Sequence, residues 1–172
     1  MNELLPSSKT STRPVFGLGC DPWDEQAVLR LLELKKRSID KGLILLASDI
    51  GQLEPILSRL NLRDRKRVLG DWPGAVTWTL PHFGFVPDYV TGGRETVAVR
   101  VTAHPVAARI ARYLGRPVIS TSANPAGLVP ARSVLQCRRY FGEQITIING
   151  RLGGMRKPTP IKDLNSGQLL RK

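Results

Sequence analysis

The sequence predicts an α/β protein: a twisted mixed sheet with helices on its flanks. Three observations carry this expectation. Short apolar runs at 43–47, 96–101 and 117–121 alternate with stretches whose apolar residues recur at helical spacing. Some neighbouring runs are joined too tightly for parallel crossovers, which forces antiparallel pairs into the sheet. A chain of 172 residues, 41% of them hydrophobic, suits one core and not two.

Taken in order, residues 1–14 are rich in Ser, Thr and Pro and read as a poorly anchored arm ahead of a single domain over 15–172. VFGLGC at 15–20 reads as a strand running into a turn. Asp21-Pro22 offers a capping side chain and a proline suited to a first helical position. Ala27, Val28, Leu31, Leu32 and Leu34 then predict an amphipathic helix over 22–36. LILLA at 43–47 follows Gly42 and has the continuous apolar character of a buried strand. Asp49 can cap a helix near 50–60, in which Pro55 demands either a kink or an earlier start. Residues 59–67 are charged and read as helix or loop. Strands are expected at 75–80 and 96–101, and a helix at 104–114 ended by Gly115. A strand at 117–121, a helix at 131–141 ending at Gly142 and a strand at 145–148 follow. Asn165-Ser166-Gly167 is a turn between two short final strands.

Composition narrows the function. No stretch approaches the ~20 apolar residues that span a bilayer, so no membrane role is expected. The N-terminus has no apolar leader pattern, and two isolated cysteines, Cys20 and Cys137, fit a reducing cytoplasm. Neither they nor the two histidines, His82 and His104, stand at metal-ligand spacing, so no metal ligands are expected. The net charge is +12 and unevenly spread: residues 101–172 hold 12 Lys and Arg against only Glu143 and Asp163. Such an excess draws polyanions such as RNA or nucleotide phosphates, or else makes a basic but unspecific surface.

Three constellations can carry chemistry. Lys35-Lys36-Arg37, followed by Lys41-Gly42, sits where a helix ends and a buried strand begins. Cations there either complement the helix dipole or clamp phosphates. Ser120-Thr121-Ser122-Ala123-Asn124-Pro125-Ala126-Gly127 follows a strand and is denser in hydrogen-bonding groups than a turn requires. Along 96–101, alternation puts Thr96, Ala98 and Arg100 on one face, where Arg100 pairs either with a protein carboxylate or with that of a substrate. His104 precedes Pro105 at a helix start and reads as part of its N-terminal turn. No P-loop, GxSxG or GxGxxG is present.

In this order, VFGLGCDP (15–22), LLELKKRSIDKGLIL (31–45), WPGAVT (72–77), VAVRVTAHP (97–105) and STSANPAG (120–127) resemble the YrdC/TsaC family of threonylcarbamoyl-AMP synthases. A looser match runs through PARS (130–133), Gly153-Gly154 and IKD (161–163). The pair Lys35-x-Arg37 and Ser122-x-Asn124 is distinctive of it. The resemblance implies a YrdC-like sheet around a basic concave groove. It also implies synthesis of threonylcarbamoyl-AMP and pyrophosphate from L-threonine, bicarbonate or CO2, and ATP, for modification of adenosine 37 of tRNA. By the same resemblance Lys35, Arg37 and Lys41 meet the ATP phosphates, with Lys35 and Arg37 the catalytic pair. Thr96, Ser122 and Asn124 lie on the nucleotide side, and Thr12, Arg100 and Ser120 hold threonine. Mg2+ accompanies ATP without a protein cage, and the tRNA threonylcarbamoyl-transferase machinery takes the product. The chain departs from the family pattern at Arg13, where an acidic residue is usual, and at Ser38, where proline is usual. The competing expectations are a YrdC-like module that binds tRNA or double-stranded RNA without synthase activity, and a basic ribosome-associated protein.

Overall fold

The computed structural model describes residues 15–148, 150 and 159–171. The elements in chain order are β1 (Gly17–Leu18), α1 (Glu25–Lys35), β2 (Ile44–Ala47), α2 (Glu54–Leu57), α3 (Leu62–Leu69), β3 (Thr77–Pro81), α4 (Asp88–Thr91), β4 (Thr96–Val101), α5 (Pro105–Leu114), β5 (Val118–Ser122), α6 (Val134–Phe141), β6 (Ile161–Asp163) and β7 (Leu169–Arg171). The strands form one sheet in the order β1-β5-β2-β4-β3-β6-β7. β2 with β4 and β3 with β6 run parallel, and every other neighbouring pair is antiparallel. The sheet is therefore mixed, as the tight connections require.

The two faces of this sheet differ in chemistry. Leu45, Ala47, Trp78, Leu80, Val97, Val99, Val101 and Ile119 point to one side and meet Val28, Leu31 and Leu32 of α1, with Ile56, Leu57, Val68 and Val90 of α2–α4. That is the main core, and each fully buried aliphatic side chain there contributes about 1.5–3 kcal/mol. On the other side Leu46 and Val118 pack under Ala111 of α5. The remainder of that face is largely half-buried, mixes Thr79, Thr96, Arg100 and Ser120 with Ile44 and Ala98, and carries the residues of interest. A satellite cluster of Ala123, Ala131, Cys137 and Phe141 packs α6 onto the loop after β5.

Most sequence-level expectations hold in kind, with shifts at the ends. α1 starts later than Asp21 because Asp24 is its cap, accepting from the Ala27 amide at 3.0 Å. Asp21 instead closes the preceding turn by accepting from the Trp23 amide at 2.9 Å. Pro55 lies in the first turn of α2, where a missing N–H costs nothing. His104 and Gly115 bound α5 as expected. α6 begins three residues later than its apolar pattern, because Ala131 bonds to Ala123 and Phe16 across the loop and Ser133 supplies the cap. The strand expected at 145–148 is a correction. This segment has no ladder partner among the described residues, and Ile145 and Ile147 are used instead to pack the satellite cluster. The arm at 1–14 lies outside the described residues.

Candidate functional site

Sheet register assembles the polar strip. Ile44 is flanked by Ala98 on β4 and Ser120 on β5, and Ala98 faces Thr79 on β3. Paired residues share a face, so Thr79, Ala98, Ile44 and Ser120 form one row across four strands. Thr96 and Arg100 stand on either side of Ala98 on the same face, and the strand alternates between half-buried and buried as predicted. The small Ala98 side chain leaves room above the sheet between these two polar residues. Ser122 follows Ser120 on this face, one register step further along β5.

Three guanidinium groups converge there. Arg100 carries an Nε that is buried and has no hydrogen-bond partner. Burial, and then the charge of Arg171, holds its pKa below the ordinary arginine value. Arg37 extends from the end of α1 and donates through Nη2 to the carbonyls of Gly42 (2.8 Å) and Lys41 (3.3 Å). Its Nε is likewise buried and unpartnered, and its pKa is lowered by burial and then by Arg171 and Arg94. Arg171, on β7 opposite Ile161, donates through Nη2 to the Thr159 carbonyl at 2.9 Å. Burial lowers its pKa too. Among the described residues none of these three pairs with a carboxylate. A protein carboxylate on Arg100, one of the two expectations, is thereby excluded within them. Like charges held together out of water are costly, and an anion bound between them would relieve that cost. Arg171 and Arg94 carry no local motif; only the pairing of β7 to β6 and β6 to β3 brings Arg171 near.

Lys35, the last residue of α1, does not stand in solvent. It is 5% exposed. Its Nζ donates to the backbone carbonyls of Ser122 and, at 3.0 Å, Asn124. Its own carbonyl accepts from the Ala126 amide at 2.7 Å. Burial, followed by the charge of Arg37, brings the ammonium down to about 8. α1 ends at Lys36, which adopts the left-handed conformation at φ 49° and lets the Arg37 amide reach back to Leu32. That turn sends Lys35 inward and Arg37 toward Gly42. Lys41 stays at the surface. Thr12 lies outside the described residues.

The loop after β5 is closed on itself. Ser122 Oγ donates to Asn124 Oδ1 at 2.6 Å. Asn124 Nδ2 donates to the carbonyls of Leu128 (2.8 Å) and Pro125 (3.1 Å). The structure thus brings together Lys35, Arg37, Ser122 and Asn124 through the α1–β5 junction, and Thr96, Arg100 and Ser120 through the strip.

Elsewhere, a cavity of about 470 Å³ lined by Lys66, Arg67, Asp71, Trp78 and Lys162 lies on the opposite face of β3. Three of its polar groups are joined there: Asp71 Oδ2 accepts from Lys162 Nζ at 2.9 Å and from Trp78 Nε1 at 3.0 Å. Cys20 is pushed up to about 12 by burial and then by Asp24 and Asp21, which leaves no nucleophilic thiolate there. Among the described residues no group of three or more His, Cys, Asp or Glu could hold a metal ion, and no helix is long and apolar enough to cross a membrane.

Comparison with known proteins identifies the family. The Sua5/YciO/YrdC family model, described as telomere recombination, matches residues 9–172. A threonylcarbamoyl-AMP synthase of Cellvibrio japonicus is 48% identical over 161 residues, covering 93% of this chain and 85% of that protein. The threonylcarbamoyl-AMP synthase of Stutzerimonas stutzeri is 50% identical over 161 residues, covering 93% and 86%. Among solved structures, P. abyssi Sua5 complexed with L-threonine superposes with a TM-score of 0.78 at 32% identity. That match covers 94% of this chain and 48% of the Sua5 chain, so this chain spans about half of Sua5.

Proposed function

Because the chain belongs to the Sua5/YciO/YrdC family, we infer that it is a threonylcarbamoyl-AMP synthase, a nucleotidyltransferase that consumes L-threonine, bicarbonate or CO2, and ATP. The observation that carries this reading from the chain itself is the set of three guanidiniums, Arg37, Arg100 and Arg171, which face one strip without a carboxylate among the described residues. Such a site lacks anions, and the proposed substrates supply them: a triphosphate and an amino-acid carboxylate. Lys35, Arg37 and Lys41, with Arg171 added, meet the phosphates. Thr96, Ser122 and Asn124 serve the nucleotide side, and Arg100 and Ser120, with Thr12, hold threonine.

The chemistry asks little of acids and bases. The threonine nitrogen adds to CO2 and loses a proton, giving a carbamate. A carbamate oxygen attacks the α-phosphorus, the bond from that phosphorus to the bridging oxygen breaks, and pyrophosphate leaves. Negative charge grows on the leaving pyrophosphate, where Lys35 and Arg37 are the residues to receive it. Orientation and charge neutralisation then supply most of the acceleration. Mg2+ would accompany ATP and add to the neutralisation of phosphate charge, without a dedicated protein cage.

The product serves tRNA modification in the cytoplasm, with tRNA and the threonylcarbamoyl-transferase machinery as partners. Pyrophosphate release that depends on both threonine and bicarbonate tests the reading; release independent of either one refutes it. One observation favours a second reading, a module that binds tRNA or double-stranded RNA. Arg109, Arg112 and Tyr113 lie exposed on the outer face of α5, Tyr113 at 90%, and basic-aromatic surfaces suit nucleic acid. RNA affinity with a steep salt slope and no pyrophosphate release would select it.

A further inference from the structure

We propose that Asn124 is a positioning residue: it does not touch the nucleotide but fixes the hydroxyl of Ser122 as a hydrogen-bond acceptor toward it. The proposal rests on the synthase reading above and narrows the role that reading gives to Ser122 and Asn124.

The hydrogen-bonding inventory of the loop leaves one solution. One end of the Asn124 amide faces two backbone carbonyls, Leu128 at 2.8 Å and Pro125 at 3.1 Å. Carbonyl oxygens only accept, so that end is the NH2 group and both its protons are used. A flipped amide would set three oxygens against one another. The other end is therefore the oxygen, and it lies 2.6 Å from Ser122 Oγ. An amide oxygen has no proton to give, so the Ser122 hydroxyl must donate and its single proton is committed. Asn124 has no N–H left for a ligand. Ser122 keeps only lone pairs, and it sits on the strip beside Ser120.

The neighbouring contacts hold this arrangement still. Lys35 Nζ grips the carbonyls of Ser122 and Asn124 from beneath. Ala123 bonds to Phe16 at 2.9 Å through its amide and accepts from Ala131 at 2.9 Å through its carbonyl. The polar groups nearest the serine are thus tied on both sides.

The consequence concerns specificity. Ionised phosphate oxygens are acceptors only and gain nothing from a serine whose proton is already spent. The group Ser122 recognises is a donor on the nucleoside, a ribose hydroxyl or the adenine amine. Ser122 reads the nucleoside, while the cations read the phosphates.

A double-mutant cycle tests this, with affinity for the non-hydrolysable analogue AMP-PNP measured by calorimetry. Losing one neutral hydrogen bond is expected to weaken binding about tenfold. Ser122→Ala and Asn124→Ala should each do so, and the double variant should be no weaker than about tenfold, because both remove the same contact. Independent effects multiplying to about a hundredfold would overturn the positioning role, as would an unchanged affinity in either single variant. Threonine affinity and melting temperature report whether the Asn124→Ala loop stays folded. Ser122→Thr leaves Asn124 in place and retains a hydroxyl that Asn124 can orient, so its loss of affinity should be smaller than that of Ser122→Ala; a loss as large as in Ser122→Ala would sink the proposal without reliance on Asn124→Ala. The Ser122→Ala penalty should vanish for one of 2′-deoxy-ATP, 3′-deoxy-ATP or N6-dimethyl-ATP, and its persistence with all three refutes recognition of a nucleoside donor. A native chain that neither binds AMP-PNP nor releases pyrophosphate removes the synthase reading and this proposal together. An active native chain with multiplicative effects removes this proposal alone.

Discussion

Replacing Arg100 by Gln should move stability and substrate use in opposite directions. The guanidinium is buried, has an unpartnered Nε, faces the charge of Arg171, and meets no carboxylate among the described residues. In the unliganded protein it is a desolvated charge without compensation, so removing it relieves a cost. Relief on the order of 1 kcal/mol corresponds to a rise of roughly 2–4 °C in Tm for a domain of this size. With threonine bound the sign reverses. A charge-assisted hydrogen bond to the carboxylate is worth about 1.5–3 kcal/mol, so its loss should raise the threonine KM by roughly ten- to a hundredfold. The ATP KM should change far less. Threonine-dependent pyrophosphate release measures the second effect, and thermal unfolding without ligands measures the first. A variant whose Tm drops by several degrees while its threonine KM stays at the native value would refute the reasoning and make Arg100 a structural group.

Arg37→Gln and Arg171→Gln should each weaken ATP-analogue binding by about tenfold or more while threonine affinity holds; calorimetry with AMP-PNP checks both, and an Arg171 variant that binds normally removes that residue from the site. The Lys35 ammonium, held near 8 by burial and Arg37, should give kcat/KM for ATP a declining alkaline limb centred close to that pH, because the free protein loses this cation there. Lys35→Ala should lower the plateau and abolish the limb. The same displacement from the ordinary 10.5 means that the folded chain binds this proton less tightly than the unfolded one, so the stability of the unliganded protein should rise with pH between about 8 and 10.5 on this group's account. Leu45→Ala, at a position with no exposure in the main core, should cost about 2–5 kcal/mol in denaturant unfolding with little change in the substrate KM values of the folded fraction.

Local pattern made much of this fold readable. Alternation along β4 separated Thr96, Ala98 and Arg100 from the core valines, and the Asn165-Ser166-Gly167 turn marked the final hairpin. Caps named the ends of α5. Features that depend on a distant partner were not readable. Ile145 and Ile147 alternate like strand residues, but a strand needs a free edge to pair with, and these side chains fill the satellite cluster instead. Arg171 reaches the strip only through two successive strand pairings, which nothing in its own neighbourhood signals.

Lys35 is the instructive case, because its burial had a signal. Positions 28, 31, 32 and 35 follow one helical face, and Val28, Leu31 and Leu32 are core residues. The period puts Lys35 inside; its charge argues for the surface. The contradiction is resolved by a loop 87 residues away in sequence, whose Ser122 carbonyl turns toward the ammonium together with that of Asn124. An apolar residue of similar length would fill the same volume but leave those two carbonyls without this donor. Lysine at 35 therefore answers to the loop as much as to the helix, and it ties the KxR segment to the SxN segment in a fixed relation. Two acceptors use two of its three protons. The third is used by neither carbonyl, so the proposed phosphate role of Lys35 does not require this junction to open.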